Sequence, residues 1–253
     1  MKNRNPSPSI SLHFHETGRG QIVLLVHGWM VSGRVWDRLL PRLSGFRVLA
    51  PDLPGAGLTP ADDDEVSLDN RVARLAAFCE RQDLHETHLV GHSMGGQLAA
   101  LLAAKLPHRF ATLTLLNPVP VQGLDFPAEL QPLFRNCGGD RDSIGRIIDM
   151  SCLQLDPAGR ELLVEDGLKT SPRAVSTGFD AFRCGDSRAS LDSLQVPATV
   201  VATDDPFLPP AFLQSAVVDR LPHARLVTLH GPGHYPQIEA PRETADLLRD
   251  CFA

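Results

Sequence analysis

The sequence is poor in the features that mark membrane, secreted disulfide-rich and nucleic-acid-binding proteins. No apolar run approaches the roughly 20 residues that a membrane-spanning helix requires. The beginning, MKNRNPSPSISLHFHETG, has neither an apolar core segment nor a cleavage signature, so no secretory signal is expected. There is no Lys/Arg cluster, and 30 acidic residues outnumber 24 basic ones, for a net charge of −6. That balance lacks the electrostatic footprint of a nucleic-acid binder and disfavours a membrane-surface role. The five cysteines, Cys79, Cys137, Cys152, Cys184 and Cys251, are odd in number and without CxxC spacing. They read as reduced thiols rather than a disulfide framework or zinc site, which makes a cytoplasmic location the expectation.

What is present is ordinary for a globular protein of 253 residues: 43% hydrophobic and 21% charged, with both signs spread along the chain. Short aliphatic runs at 10–15, 22–27, 47–50, 88–91, 113–117, 198–202 and 225–230 read as strands, several of them buried on both faces. Helical patterns separate them at 34–42, 68–82, 95–105, 210–220 and 242–251. This alternation predicts an α/β fold with a mostly parallel, doubly wound sheet covered on both faces. Residues 119–191 break the pattern. They carry no strand signal, only helical segments at 128–136, 141–153, 159–168 and 173–183, punctuated by Pro and Gly. So long a stretch is not a structureless loop. It is expected to be an all-helical lid inserted into a core formed by residues 1–118 and 192–253. The acidic run Asp62-Asp63-Asp64-Glu65 reads as a solvated loop, since a calcium loop needs other spacing and a Gly turn.

The chemistry centres on Gly91-His92-Ser93-Met94-Gly95, a G-x-S-x-G motif. An apolar strand precedes it and a long helix former follows, which is the setting of a nucleophile elbow. The glycines are needed because the turn is tight, and it would place the Ser93 hydroxyl at a helix N-terminus that favours developing negative charge. A serine hydroxyl needs a base to become nucleophilic. Of ten histidines, His234 alone lies late in the chain on a Gly/Pro-held loop after the last strand candidate, in Gly231-Pro232-Gly233-His234-Tyr235-Pro236. An orienting carboxylate is offered where the strand at 198–202 ends. Asp205 is preferred because Pro206 fixes its loop, with Asp204 as the alternative. The order Ser, Asp, His agrees with that associated with the elbow. The backbone N–H of Met94 and that of Trp29, reached through His27-Gly28, are the expected oxyanion donors.

Together Val26-His27-Gly28-Trp29, Trp36, Pro51-Asp52-Leu53-Pro54-Gly55, the elbow through Gly96, Asp205-Pro206 and Gly233-His234 with Pro236, Glu239 and Pro241 resemble the α/β-hydrolase superfamily over nearly the whole chain. The likeness is greatest to small capped carboxylesterases, such as pimeloyl-carrier-protein methyl ester esterases and enol-lactone hydrolases. It implies a triad of Ser93, Asp205 and His234, an oxyanion hole from Trp29 and Met94, and a helical cap over the pocket. Two departures are visible, Ala56 in Pro54-Gly55-Ala56-Gly57 and Ala202 before the acid, and neither removes a catalytic atom. Ser93 argues against haloalkane dehalogenases and epoxide hydrolases of this fold, which use Asp at the elbow.

The expected reaction is hydrolysis of a small to medium carboxylic ester, lactone or thioester through an acyl-enzyme, with no metal or organic cofactor. Gly28, Trp29, His92, Met94, Phe126, Phe134, Phe182 and Tyr235 are the pocket candidates. The partner is a small acyl substrate, with an acyl-carrier protein as a further candidate through basic lid residues such as Arg135, Arg141 and Arg146, although a solvated helix face is the simpler reading. Cys184 reads as a packed thiol. Other uses of the same residues are a lyase, C–C hydrolase or cyclase step, or a ligand-binding receptor.

Overall fold

A computed structural model describes residues 11–60, 67–186, 191 and 194–253. Seven strands form one sheet: β1 (Phe14–Gly18), β2 (Gln21–Val26), β3 (Phe46–Pro51), β4 (Thr87–His92), β5 (Phe110–Leu116), β6 (Ala198–Thr203) and β7 (Ala224–Leu229). Their order is β1-β3-β2-β4-β5-β6-β7, with β1 antiparallel to β3 and every other pair parallel. The central strands β4 and β6 are buried throughout, as their continuous apolar sequences require, while the edge strands β1 and β7 are half-exposed. Leu24, Leu89 and Val200 have no exposed surface. Truncating any one of them would cost about 2–5 kcal/mol.

Nine helices accompany the sheet among the described residues: α1 (Leu68–Arg81), α2 (Met94–Lys105), α3 (Gln131–Asn136), α4 (Arg141–Ser151), α5 (Pro157–Lys169), α6 (Pro172–Cys184), α7 (Pro210–Ala216), α8 (Pro236–Glu239) and α9 (Pro241–Phe252). Helix α1 buries Leu68, Val72, Leu75, Ala76 and Cys79, a stripe at helical spacing, and Ser67 caps it by accepting from the Asn70 N–H. Helix α2 is apolar on all sides and correspondingly buried. The strand register matters most for the site. Val26 lies opposite Gly91, His92 opposite Leu116, and Leu116 opposite Val201. The carboxyl ends of β2, β4, β5 and β6 are therefore level, and the loops leaving them converge on one edge of the sheet, where ligands of open α/β sheets bind.

Helices α3 to α6 all lie between β5 and β6, the interval in which the sequence predicts only helices. Three are capped by acceptors one residue before them: Asp140 for α4, Asp156 for α5 and Ser171 for α6. The insertion is fastened to the core at several points. Asp166 of α5 accepts from the Ser32 N–H at 2.6 Å and from its hydroxyl at 2.7 Å, and Arg38 pairs with Asp156 at 2.7 Å. The Trp29 indole N–H donates to the Val175 carbonyl of α6 at 2.8 Å.

Several boundaries differ from the sequence expectation. The first strand lies at Phe14–Gly18 rather than 10–15, because its ladder is set by β3, with Phe14 opposite Pro51 and Gly18 opposite Arg47. Residue 10 and the acidic run 62–65 lie outside the described residues. The helix expected at 34–42 is two 3-10 turns, Gly33–Trp36 and Leu40–Arg42, since Pro41 supplies no N–H to join them. The segment 210–220 breaks at Val217 into α7 and a 3-10 turn, and the helix expected from 128 starts at Gln131, where Pro132 occupies the first turn.

Candidate active site

Ser93 sits between β4 and α2 with φ 56° and ψ −122°, in the left-handed region that a side chain rarely adopts. Its neighbours show how the sequence enforces this. A Cβ on Gly91 would lie 2.4 Å from the Gly95 carbonyl oxygen, and one on Gly95 would lie 2.2 Å from that of Val26. Only glycine permits β2, β4 and α2 to approach so closely. The Ser93 N–H donates to the Leu116 carbonyl at 3.0 Å, and its own carbonyl accepts from Gly96 and Val119. The turn is thus pinned from both sides.

The loop after β2 packs against this elbow. A Cβ on Gly28 would stand 3.1 Å from Ser93 Cβ, so glycine keeps the approach to the serine open. His27 stays neutral and structural. Its Nδ1 donates to the Gly28 carbonyl at 2.8 Å and its Nε2 accepts the Leu53 N–H at 2.9 Å, and burial holds its pKa below the usual 6.5. The Trp29 and Met94 backbone N–H groups donate to no protein acceptor among the described residues. They are the donors the sequence nominates for an oxyanion.

The two adjacent acids part company. Asp204 faces outward and accepts from the Gly231 N–H at 2.8 Å and from His230 Nδ1 at 2.9 Å, which hold its carboxyl below the usual range. Asp205 is buried, and its Oδ2 lies 2.6 Å from His234 Nδ1 while Oδ1 accepts from the Phe207 N–H at 2.8 Å. The imidazole is thereby oriented through Nδ1.

His234 is held by groups far away in sequence. Its N–H donates to the Ser151 carbonyl at the end of α4 at 2.8 Å. The Glu239 carboxylate accepts from the N–H groups on both sides of it, Gly233 at 2.9 Å and Tyr235 at 3.0 Å, and also from Leu153 and Gln154 of the insertion at 2.8 Å each. Asn117 at the end of β5 donates to the Thr203 hydroxyl and the Gly233 carbonyl, binding the same loop to the sheet. The sequence signals Glu239 only as part of a pattern, and Asn117 not at all.

Ser93 and His234 share the wall of one narrow cavity of about 50 Å³. Trp29, Phe126, Phe134, Phe182 and Tyr235 line it, as do Phe207 and Leu208, which the sequence reading missed although they follow the acid directly as an apolar pair. Trp29 stacks on Phe134 at 5.8 Å between centroids, and Phe126 stacks on Phe207, so rings from the core and the insertion form a single cluster.

Three pocket candidates require correction. His92 is buried behind the site, with Nε2 donating to the His234 carbonyl at 2.8 Å, because it points away from Ser93 toward Trp36 and Tyr235. Gly28 and Met94 are absent from the lining of this cavity and line a second one that shares Trp29 with it. Cys184 is likewise exposed rather than packed, and all five cysteines are free. Of the basic residues on the insertion, Arg135 pairs with Asp180 at 2.9 Å and Arg141 with Glu161. Among the described residues one group has metal-ligand proximity, His13, His15 and Asp52, but Asp52 is spent on the Gly33 and Leu58 N–H groups and on His13.

Comparison with known proteins bears on the family and the fold. The profile of the alpha/beta hydrolase family matches residues 23–247. A Stenotrophomonas maltophilia protein named pimeloyl-[acyl-carrier protein] methyl ester esterase is 31% identical, over 96% of each chain. Among solved structures, an esterase from Thermogutta terrifontis superposes with a TM-score of 0.80 at 28% identity, covering 94% of this chain and 92% of its own. A Bacillus anthracis protein described as a bromoperoxidase reaches 0.87 at 20% identity, with 94% of each chain covered, and so speaks to the fold alone. On profile, relatives and fold together, this chain belongs to the alpha/beta hydrolase family.

Proposed function

We propose that the protein is a serine carboxylic ester hydrolase that cleaves a small to medium ester, lactone or thioester through an acyl-enzyme on Ser93. The observation that carries this reading is the 2.6 Å contact between Asp205 and His234 Nδ1, on a histidine that shares a cavity wall with Ser93. In this mechanism His234 Nε2 takes the Ser93 proton as Oγ attacks the carbonyl carbon. Asp205 holds the ring and stabilises the imidazolium that forms. The Trp29 and Met94 N–H groups receive the negative charge that builds on the carbonyl oxygen. Collapse of the tetrahedral species expels the alcohol or thiol, which His234 protonates. A water activated by the same histidine then releases the acid and restores Ser93.

The insertion at residues 119–191 acts as the lid of this site, and its Phe126, Phe134, Phe182 and Ile147 side chains form the acyl pocket with Phe207 and Leu208. Such a narrow apolar space favours short or slender acyl chains. The names of the relatives support an acyl-carrier protein as the group bearing the ester. The test is a panel of p-nitrophenyl esters of graded length, lactones and acyl thioesters, run beside Ser93→Ala. We expect activity that peaks at short to medium chains and falls roughly a thousandfold or more in the variant. Equal rates for both proteins on every substrate would sink the proposal.

A further inference from the structure

Arg71 lies in the first turns of α1, outside the machinery described above, and only 3% of its surface is exposed. A guanidinium is among the groups least often buried without a partner, because it loses hydration at no Coulombic return. Yet Arg71 Nε has no hydrogen-bond partner, and Nη1 has only the Met94 sulfur at 3.7 Å. Burial alone pushes its pKa down to about 10, at which it is still a cation at neutral pH. Neither buried acid of the neighbouring loops hydrogen-bonds to it: Asp166 accepts from Ser32, and Asp52 contacts Gly33, Leu58 and His13. His27 is neutral and offers no second charge.

Arg71 lines the separate cavity noted above, together with Gly28, Trp29, Met94, Thr170 and Ala174. Trp29 lines both this space and the acyl cavity, and Gly28 abuts Ser93. On the far side, Nη2 lies 3.2 Å from where a Cβ on Gly178 would be, so the absence of a side chain on α6 leaves the charge room. The cavity measures about 10 Å³. That is roughly the space of one water, and so of one anionic oxygen beside the guanidinium.

We propose that Arg71 is a carboxylate subsite, so that the enzyme prefers esters whose far end carries a carboxylate able to reach the space that Arg71 and Trp29 line together. The inference rests on the Ser93 hydrolase reading and names the substrate class for it. A carboxylate oxygen there accepts from the guanidinium and neutralises the one buried arginine that has no carboxylate partner among the described residues.

The test compares mono-p-nitrophenyl glutarate with neutral p-nitrophenyl valerate in wild type, Arg71→Met and Arg71→Lys. The acidic-to-neutral ratio of kcat/KM is expected to fall about tenfold to a hundredfold in Arg71→Met, mainly through KM, and to be partly retained in Arg71→Lys. The same ratio in all three proteins overturns the proposal. Thermal unfolding supplies a readout that needs no turnover. Glutarate should raise the Tm of wild type and leave that of Arg71→Met unchanged. An equal rise in both proteins, or a rise with formate matching that with glutarate while the kinetic ratio stays flat, rejects a substrate subsite. If neither ester is cleaved in a Ser93-dependent way, the hydrolase reading fails while the glutarate shift still decides whether Arg71 binds carboxylate.

Discussion

The nucleophile elbow and the histidine loop face each other across one cavity, yet they are held by opposite means. The elbow is fixed by exclusion: Gly91 and Gly95 sit where any Cβ would meet backbone oxygens at 2.4 Å or less, and Ser93 is left no alternative path. The histidine loop is fixed by attraction. A single carboxylate, Glu239, gathers four N–H groups, and the Ser151 carbonyl gathers the fifth. Steric exclusion tolerates no change, and the glycines that answer it fall within five residues, although Gly95 answers to the Val26 and His27 oxygens. Attraction is graded, and its partners lie 86 residues apart.

The contrast is best broken at its rigid end. Gly95→Ala forces a methyl onto the Val26 and His27 carbonyl oxygens, neither of which can move without dismantling the sheet edge. We expect a loss of about 3 kcal/mol or more in denaturant unfolding, with activity abolished in whatever folds. Native-like stability for this variant would show that the elbow is softer than its geometry implies.

At the next level, Asp205→Asn keeps the shape of the loop but not the charge beside His234, and kcat is expected to drop on the order of 10³–10⁴-fold. Asp204→Asn touches only the exposed His230 and Gly231 contacts and should alter kcat less than about threefold. Reversed effects would reassign the acid. Glu239→Ala comes third, because four orphaned N–H groups loosen the loop without removing a reacting group. It should lower kcat about tenfold to a hundredfold and stability by about 1–3 kcal/mol, with Glu239→Gln between it and wild type. A stability loss with kcat intact would make Glu239 a scaffold residue alone.

The smallest expected effect comes from His92, which links the two regions through the His234 carbonyl. Its Nε2 donates there, while Nδ1 is buried without a partner, and burial holds its pKa well below 6.5 as it does that of His27. In the unfolded chain both rings accept protons near 6.5, so unfolding takes up protons below that pH. Their contribution to stability is complete above pH 6.5 and is lost as the pH falls from there through the depressed folded values. Tm recorded from about pH 8 to about pH 5 should decline only below about 6.5. A Tm that rises on acidification would count against this pair of buried neutral rings as the controlling groups.

These differences also explain what the sequence discloses. The elbow is legible because its constraint is local: spacing, glycine and the change from strand to helix are all visible in a decapeptide. The alternation that yields a parallel sheet is legible for the same reason, down to strands misplaced by a few residues where pairing, as for Phe14–Gly18 on β3, sets the ends. Asp204 and Asp205 are equivalent on paper and separate only when the end of β6 turns one outward to His230 and the other inward to His234. His92 is misread because adjacency to Ser93 says nothing of direction. The lining of the cavity is the least legible part, since Phe126, Phe134 and Phe207 carry no mark that distinguishes a pocket wall from an ordinary core, and Arg71 resembles any charge on an amphipathic helix until its surroundings are seen.

The hydrogen bond from the His234 N–H to Ser151 has a consequence for modularity. The insertion is no exchangeable cassette laid over a finished centre, because the end of α4 is part of the cradle that sets the height of the imidazole. Grafting the corresponding helices of a relative to alter substrate range would retune the base as well as the pocket. Chimaeras with junctions that spare the α4–α5 turn and its contacts to Glu239 should retain turnover, whereas those that replace it should trade rate for the new specificity.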